Sequence, residues 1–116
     1  MNIEEFREYC LGKKATTEDF PFDESTLVFK VHGKMFALTG LNRKPTQVNL
    51  KCDPERAIEL REEYDGIIIP GYHMSKRLWN TIIFDSRLPK KLLLELIDHS
   101  YDLVVAGLPK KLRETL

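Results

Sequence analysis

The sequence predicts an α+β fold, a two-layer sandwich in which helices pack on one face of an antiparallel sheet. Three observations support this class: apolar and polar residues alternate with period two in the middle of the chain, short turns connect these stretches, and amphipathic helical segments lie before and after them. The chain has 116 residues, 42% of them hydrophobic, which suits one domain spanning residues 1–116. The predicted order is one helix, three strands, one helix, two strands and one long helix.

The N-terminal segment predicts a short amphipathic helix. Asn2, with a glutamate three residues later, has the spacing of a capping box, and apolar residues then recur at helical spacing until Gly12. Residues 13–26 are predicted to form a long loop. We expect the aromatic rings of Phe20 and Phe22 to pin this loop to the core.

The next segment predicts an antiparallel meander of three strands. Alternation places Leu27, Phe29 and Val31 on one face and Val28, Lys30 and His32 on the other. Gly33-Lys34 is the predicted two-residue hairpin turn, because glycine supplies the positive φ that such turns need. The partner strands are predicted at 35–39 and 46–51.

The second half of the chain predicts two helices separated by two strands. Asp53-Pro54 is typical of a helix start, with a side-chain cap followed by proline at the first helical position. Strands are predicted at 67–69 and 79–85. The longest helix is expected at about 89–106, and a short turn or helix is expected to follow it.

The charges exclude a global field that would recruit nucleic acid or a membrane. Eighteen basic and eighteen acidic residues balance, although residues 1–26 are acidic and residues 27–56 and 76–116 carry a basic excess. The N-terminus lacks the apolar core of a signal peptide, and no apolar run approaches the length of a membrane span. We therefore expect a cytoplasmic protein with no membrane association and no cofactor, either monomeric or weakly dimeric.

Several motifs resemble one known family along nearly the whole chain. They are Glu18-Asp19-Phe20-Pro21-Phe22, Val28-Phe29-Lys30-Val31-x-Gly33-Lys34-Met35-Phe36-Ala37, Leu50-Lys51-Cys52-Asp53-Pro54, Pro70-Gly71-Tyr72-His73-Met74-Ser75-Lys76-Arg77-x-Trp79-Asn80-Thr81 and Ser100-Tyr101-x-Leu103-Val104. The chain thus resembles the MmcQ/YjbR-like family. The resemblance implies an α+β fold grouped with type III secretion chaperones and frataxin-like domains, and a DNA-binding, "double-wing" surface.

The candidate site for nucleic acid centres on the segment from Pro70 to Asp85, because binding needs cations for phosphates and planar groups for bases. The candidate residues are Lys76, Arg77, Tyr72, His73 and Trp79 at the centre, Arg43 and Lys44 beside it, and Lys30 and Lys34 on the first hairpin. If the hairpin tip and the Arg43 loop act as wings, the 70–77 loop is expected between or beside them.

Alternatives remain open for individual residues and for the function. Trp79 is either a stacking platform or a core residue, and His73 either carries acid–base chemistry or orders its loop. His32 and His99 are expected on a strand surface and a helix surface, and no histidine spacing indicates a metal site or catalytic motif. The alternative function is a chaperone-like module that binds a protein or peptide, and an enzyme using His73 is the least favoured class.

Overall fold

The computed structural model describes residues 1–72 and 74–116. In chain order the elements are α1 (Ile3–Leu11), β1 (Thr16–Asp19), β2 (Thr26–Val31), β3 (Lys34–Gly40), β4 (Gln47–Lys51), α2 (Pro54–Glu63), β5 (Ile68–Pro70), β6 (Trp79–Ile83), α3 (Lys90–Ala106) and α4 (Lys110–Arg113). Within the described residues, no helix has the length and apolarity needed to cross a bilayer.

The predicted fold class is confirmed. The strands form a six-stranded antiparallel sheet in the order β1-β2-β3-β4-β6-β5. The long helix α3 packs across β2, β3 and β4, while α1 contacts β1 and α2 contacts β5. Side chains from these helices join one core with the covered face of the sheet, and within residues 1–72 and 74–116 no helix covers the opposite face.

The strand register sorts side chains between the two faces. Leu50 pairs with Asn80 and Val48 with Ile82, which places these four residues on the helix-covered face. Trp79, one residue before Asn80, therefore lies on the face without helices, as does every second residue along β6. The alternation predicted for Leu27, Phe29 and Val31 of β2 is confirmed, since all three belong to the core on the covered face.

The helix termini follow the predicted capping residues. The Asn2 side chain accepts from the backbone N–H of Glu5 at 2.8 Å, and the Glu5 carboxylate accepts from the Asn2 N–H at 3.2 Å, which completes the capping box. Asp53 caps α2 by accepting from the N–H of Arg56. These local bonds satisfy donors that the first turn of a helix leaves without partners.

One strand and one loop differ from the sequence prediction. Part of the predicted 13–26 loop is strand β1, which pairs antiparallel with β2 along the edge of the sheet. Phe20 and Phe22 do not pin the loop to the core, since 47% and 66% of their surfaces are exposed. The carboxylate of Asp23 orders the loop instead, by accepting from the backbone N–H groups of Ser25 at 2.8 Å and Thr26 at 2.6 Å.

The first hairpin turns one residue earlier than predicted. Its two central residues are His32 and Gly33, with φ of 47° and 79°, and Val31 pairs with Lys34 across the turn. His32 is therefore a turn residue and not a strand-surface residue. Its Nε2 lies 2.9 Å from the Thr115 hydroxyl, which ties the turn to the C-terminus. The positive φ of both residues matches the twist of a two-residue hairpin.

A buried hydroxyl joins α3 to the sheet. Ser100 has no exposed surface, and its Oγ donates to the carbonyl of Phe36 at 2.5 Å. The same oxygen accepts from the backbone N–H of Lys51 at 2.8 Å. The paired register of β3 and β4 ends at Ala37 and Leu50, so Ser100 bridges the two strands where their ladder stops.

Candidate functional site

The loop between β5 and β6 is seated on the start of β6. The Gly71 N–H donates to the carbonyl of Trp79 at 3.0 Å, and the Trp79 N–H donates to the carbonyl of Ser75 at 2.9 Å. The N–H of Cys52, after β4, donates to the carbonyl of Leu78 at 2.8 Å. Backbone bonds to two strands thus hold the part of this loop that the structure describes.

Trp79 is buried under this loop, on the face of the sheet without helices. Only 8% of its surface is exposed. An added Cβ at Gly71 would lie 3.0 Å from the Trp79 Cβ and 3.1 Å from its carbonyl oxygen, so the glycine backbone lies directly on the tryptophan. From the sequence, Trp79 is interpreted either as a buried residue or as a platform for base stacking. Its burial favours the first interpretation, because a stacking platform needs an exposed ring face.

Tyr72 and Lys76 form the exposed part of the loop. Tyr72 is 60% exposed, and the Lys76 Nζ lies 4.9 Å from the centre of its ring, within the range of a cation–π contact. Arg77 follows directly and is also exposed. The structure therefore brings together Tyr72, Lys76 and Arg77 of the predicted centre.

Arg61 of α2 joins this cluster and was not among the predicted site residues. Its Nη1 donates to the Lys76 carbonyl at 3.0 Å, which links helix and loop. An open groove of about 720 Å³ lies between α2 and the loop. Its lining consists of Pro54, Glu55, Ile58, Arg61, Pro70, Lys76 and Arg77. In the sequence Arg61 is one of several charged residues of a helix, and its proximity to the loop depends on the fold. We call Arg61, Tyr72, Lys76 and Arg77 the basic cluster.

The other predicted cations lie elsewhere. Lys30 forms a cross-strand ion pair with Asp19, with 3.4 Å between Nζ and Oδ2. Lys34 begins β3, whereas Arg43 and Lys44 lie in the loop that follows its last residue. The hairpin tip that carries Lys34 and the loop that carries Arg43 are therefore at opposite ends of one strand.

The structure describes two of the three histidines, His32 and His99. His73 lies outside the described residues. His99 does not simply project from α3 into solvent, because it is half-buried and its Nε2 accepts from the backbone N–H of Asp53 at 3.1 Å. In the part of the chain that the structure describes, no three His, Cys, Asp or Glu side chains group as they would around a metal ion.

The two cysteine thiols are buried and protonated near neutral pH. Burial raises the pKa of Cys10 to about 12 and that of Cys52 to about 11, with the nearby Arg56 guanidinium opposing the second shift. The thiolate is the reactive form of cysteine. Neither side chain has the environment of a catalytic nucleophile, which is typically an exposed thiol with a lowered pKa.

We expect both thiols to be unreactive in the native protein. At pH 8 a chromogenic disulfide reagent should modify Cys10 and Cys52 slowly in buffer and rapidly in denaturant, because unfolding exposes them and returns the pKa to about 8.5. Since folding raises both values, their contribution to stability should be complete below about pH 8.5 and lost as the pH rises further. Rapid modification of either thiol in the folded protein would contradict this assignment.

A second groove lies on the face of the sheet without helices. It has a volume of about 410 Å³, and its lining consists of Phe22, Asp23, Thr26, Met35, Leu38, Gly40, Arg43, Gln47, Asn49 and Met74. The strand residues come from β2, β3 and β4, while Phe22 and Met74 come from loops. We call this concavity the open-face groove.

Comparison with known proteins gives one consistent family. The sequence profile described as YjbR matches residues 11–103. The uncharacterised protein YjbR of Escherichia coli (strain K12) is 31% identical over 116 residues, covering 100% of this chain and 98% of that protein. The uncharacterised protein YbdF of E. coli O157:H7 is 38% identical over 92 residues, which cover 79% of this chain and 75% of that protein.

Solved structures agree with these sequence matches. The crystal structure of Deinococcus radiodurans protein DR2400, with a DUF419 domain, has a TM-score of 0.93 and 40% identity, covering 98% of this chain and 86% of that one. A Pseudomonas syringae crystal structure has a TM-score of 0.74 and 30% identity, covering 89% of this chain and 98% of the other.

Proposed function

We propose that this chain, which belongs to the YjbR family, is a non-enzymatic binding protein whose basic cluster holds nucleic acid. The observation that carries the proposal is the position of three cations around a single concave surface, with the exposed ring of Tyr72 in contact with one of them, Lys76. Phosphates are bound by Lys and Arg, and bases stack on aromatic rings. The basic cluster offers both kinds of group within one loop and the helix beside it.

The cations of this cluster are available for phosphates. Among the described residues, none of the ion pairs involves Arg61, Lys76 or Arg77, and Glu55 is the acidic side chain in the groove lining. The chain as a whole has no net charge. Binding would therefore depend on this local excess of positive charge and not on a field spread over the whole protein.

The geometry of the groove beside the basic cluster favours single-stranded nucleic acid over a duplex. Ile58 is 51% exposed on the α2 side of the groove, and Tyr72, 60% exposed, lies in the loop next to the lining residue Lys76. Unpaired bases present their flat faces to such side chains, whereas the bases of a duplex are stacked on one another. The ligand class that fits best is therefore a single-stranded stretch with its phosphates near Lys76 and Arg77.

Exchanging Lys76 and Arg77 together for alanine should weaken single-stranded DNA binding about tenfold or more at low salt. Losing two phosphate contacts should also lower the slope of log K against log salt concentration by about 1.4, since each contact to a single strand contributes about 0.7. Fluorescence anisotropy of a labelled oligonucleotide at several salt concentrations measures both quantities.

A matched variant controls for net charge. The Lys111→Ala, Arg113→Ala protein loses the same two charges from exposed positions on α4. It should bind with nearly the affinity and salt dependence of the unchanged protein. Equal weakening in both variants, or absence of binding by the unchanged protein at low salt, would show that the basic cluster is not a nucleic-acid site.

A protein partner is the second candidate, favoured by a separate apolar surface. Phe20 and Leu41 are 47% and 44% exposed, and they line one shallow groove with Ile3 and Leu27. Exposed apolar side chains that lie together are typical of protein contact sites. Such a contact should change little between low and high salt, which distinguishes it from the phosphate contacts of the basic cluster.

A further inference from the structure

We infer that the open-face groove is a second binding site, whose ligand is a small molecule with an apolar body and one carboxylate, recognised by Arg43. The groove volume of about 410 Å³ lies in the range of small-molecule sites. Such sites combine an apolar lining with a few polar groups that orient the ligand. The side chains lining this groove have that composition.

The apolar part of the lining is adaptable. Met35 and Leu38 are half-buried residues of β3 that point to the face without helices, because their partners across β2 are Lys30 and Val28. Met74 reaches the groove from the loop between β5 and β6, and Phe22 from the loop before β2. Methionine side chains adjust to irregular shapes, and covering the 66% exposed ring of Phe22 would add favourable apolar burial.

The polar part leaves one charged group with its donors available. The Asp23 carboxylate accepts two backbone N–H groups and the Thr26 hydroxyl, and these bonds lower its pKa. The Asn49 Oδ1 accepts from the Thr81 hydroxyl at 2.5 Å. Arg43 is exposed and lines the groove, and no bond joins its guanidinium to any residue that the structure describes, so its donors are available to a ligand.

The charges of Arg43 and Asp23 in the groove lining favour a ligand with one negative charge. A guanidinium binds a carboxylate through two parallel hydrogen bonds, and one arginine balances one negative charge. Asp23 lies in the same lining and repels further negative charge. A singly charged carboxylate therefore fits better than a doubly charged phosphate group.

Gly40 determines where the Arg43 side chain lies. Its position on β3 faces the groove, and an added Cβ would be 3.2 Å from the Arg43 Cγ. The Arg43 N–H also donates to the Gly40 carbonyl at 3.1 Å. The aliphatic part of Arg43 thus packs on the bare glycine backbone, and a Cβ at this position would require the Arg43 side chain to shift by a few tenths of an ångström.

The test uses octanoate as the probe and the methionine methyl groups as reporters. In the full chain labelled with ¹³C-methyl methionine, octanoate should shift the NMR signals of Met35 and Met74 in a saturable way. Met1 lines a different groove, between α1 and α3, and its signal should stay in place. Octanol, which keeps the apolar body and lacks the charge, should bind about tenfold more weakly, given the usual strength of charge-assisted hydrogen bonds.

Variants separate the charge from the apolar contacts. Arg43→Gln should reduce octanoate affinity about tenfold and leave octanol affinity unchanged, and Gly40→Ala should weaken octanoate binding in the same selective way. Lys91→Gln on α3 removes one exposed charge outside the groove and should alter neither affinity. Absence of saturable shifts at Met35 and Met74, equal affinity for octanol and octanoate, or equal effects of the Arg43 and Lys91 variants would each overturn the inference.

Discussion

Replacing Ser100 with alanine should lower the free energy of unfolding by about 3 kcal/mol, since each buried group that loses its only partner costs about 1–3 kcal/mol. Two backbone groups depend on this hydroxyl: the Phe36 carbonyl, 2.5 Å from Oγ, and the Lys51 N–H, 2.8 Å from it. Alanine would leave both without this partner beneath α3. Urea denaturation followed by circular dichroism measures the change.

Ser86→Ala is the matched control for this substitution. Ser86 is exposed between β6 and α3, so the same change of side chain should alter stability by less than about 0.5 kcal/mol. The slope of the free energy with urea should be unchanged in both variants, because the folded structure and its buried surface remain the same. Equal stability of the Ser100 and Ser86 variants would show that the bridge between β3 and β4 contributes nothing.

Replacing Gly71 with alanine should destabilise the protein by about 2 kcal/mol and displace the loop that carries the basic cluster. The new Cβ would lie 3.0 Å from the Trp79 Cβ and 3.1 Å from the Trp79 carbonyl oxygen, both of which are fixed in β6. The loop would have to move away, which weakens the 3.0 Å bond from the Gly71 N–H. Thermal denaturation measures the stability, and a red shift of tryptophan emission reports that Trp79 has become more exposed.

Gly107→Ala tests whether any glycine replacement has this effect. Gly107 ends α3 with φ of −87°, and the nearest atom to an added Cβ there is 3.5 Å away, an ordinary contact. This variant should be as stable as the unchanged protein or slightly more stable, because alanine restricts the unfolded chain. If the Gly71 variant matched it in stability and in tryptophan emission, the close contact between loop and tryptophan would have no energetic role.

The elements that depend on neighbouring residues were predicted well. The capping pattern at Asn2 and the Asp53-Pro54 start both mark helix N-termini in the structure. The alternation along β2 places Leu27, Phe29 and Val31 together in the core on the covered face. Each of these features results from contacts a few positions apart, which a pattern in the sequence records directly.

The prediction was less accurate where competing contacts decide the outcome. Strand β1 is short and polar, and it exists because β2 offers an edge to pair with, which its own composition does not reveal. The hairpin turns at His32 because a bulge between Phe29 and Lys30 changes how β3 pairs with β2. Phe20 and Phe22 are aromatic, yet the Asp23 bonds hold their loop without burying either ring.

By itself the sequence determined the fold class and most of the helix boundaries, because local propensity and periodicity carry this information. Only the tertiary structure decided that β6 lies between β4 and β5, that Arg61 meets Lys76, and that Arg43 and Met74 line one groove. These contacts join residues far apart in the chain. Their geometry is set by packing the whole sheet against its helices, and no short stretch of sequence encodes it.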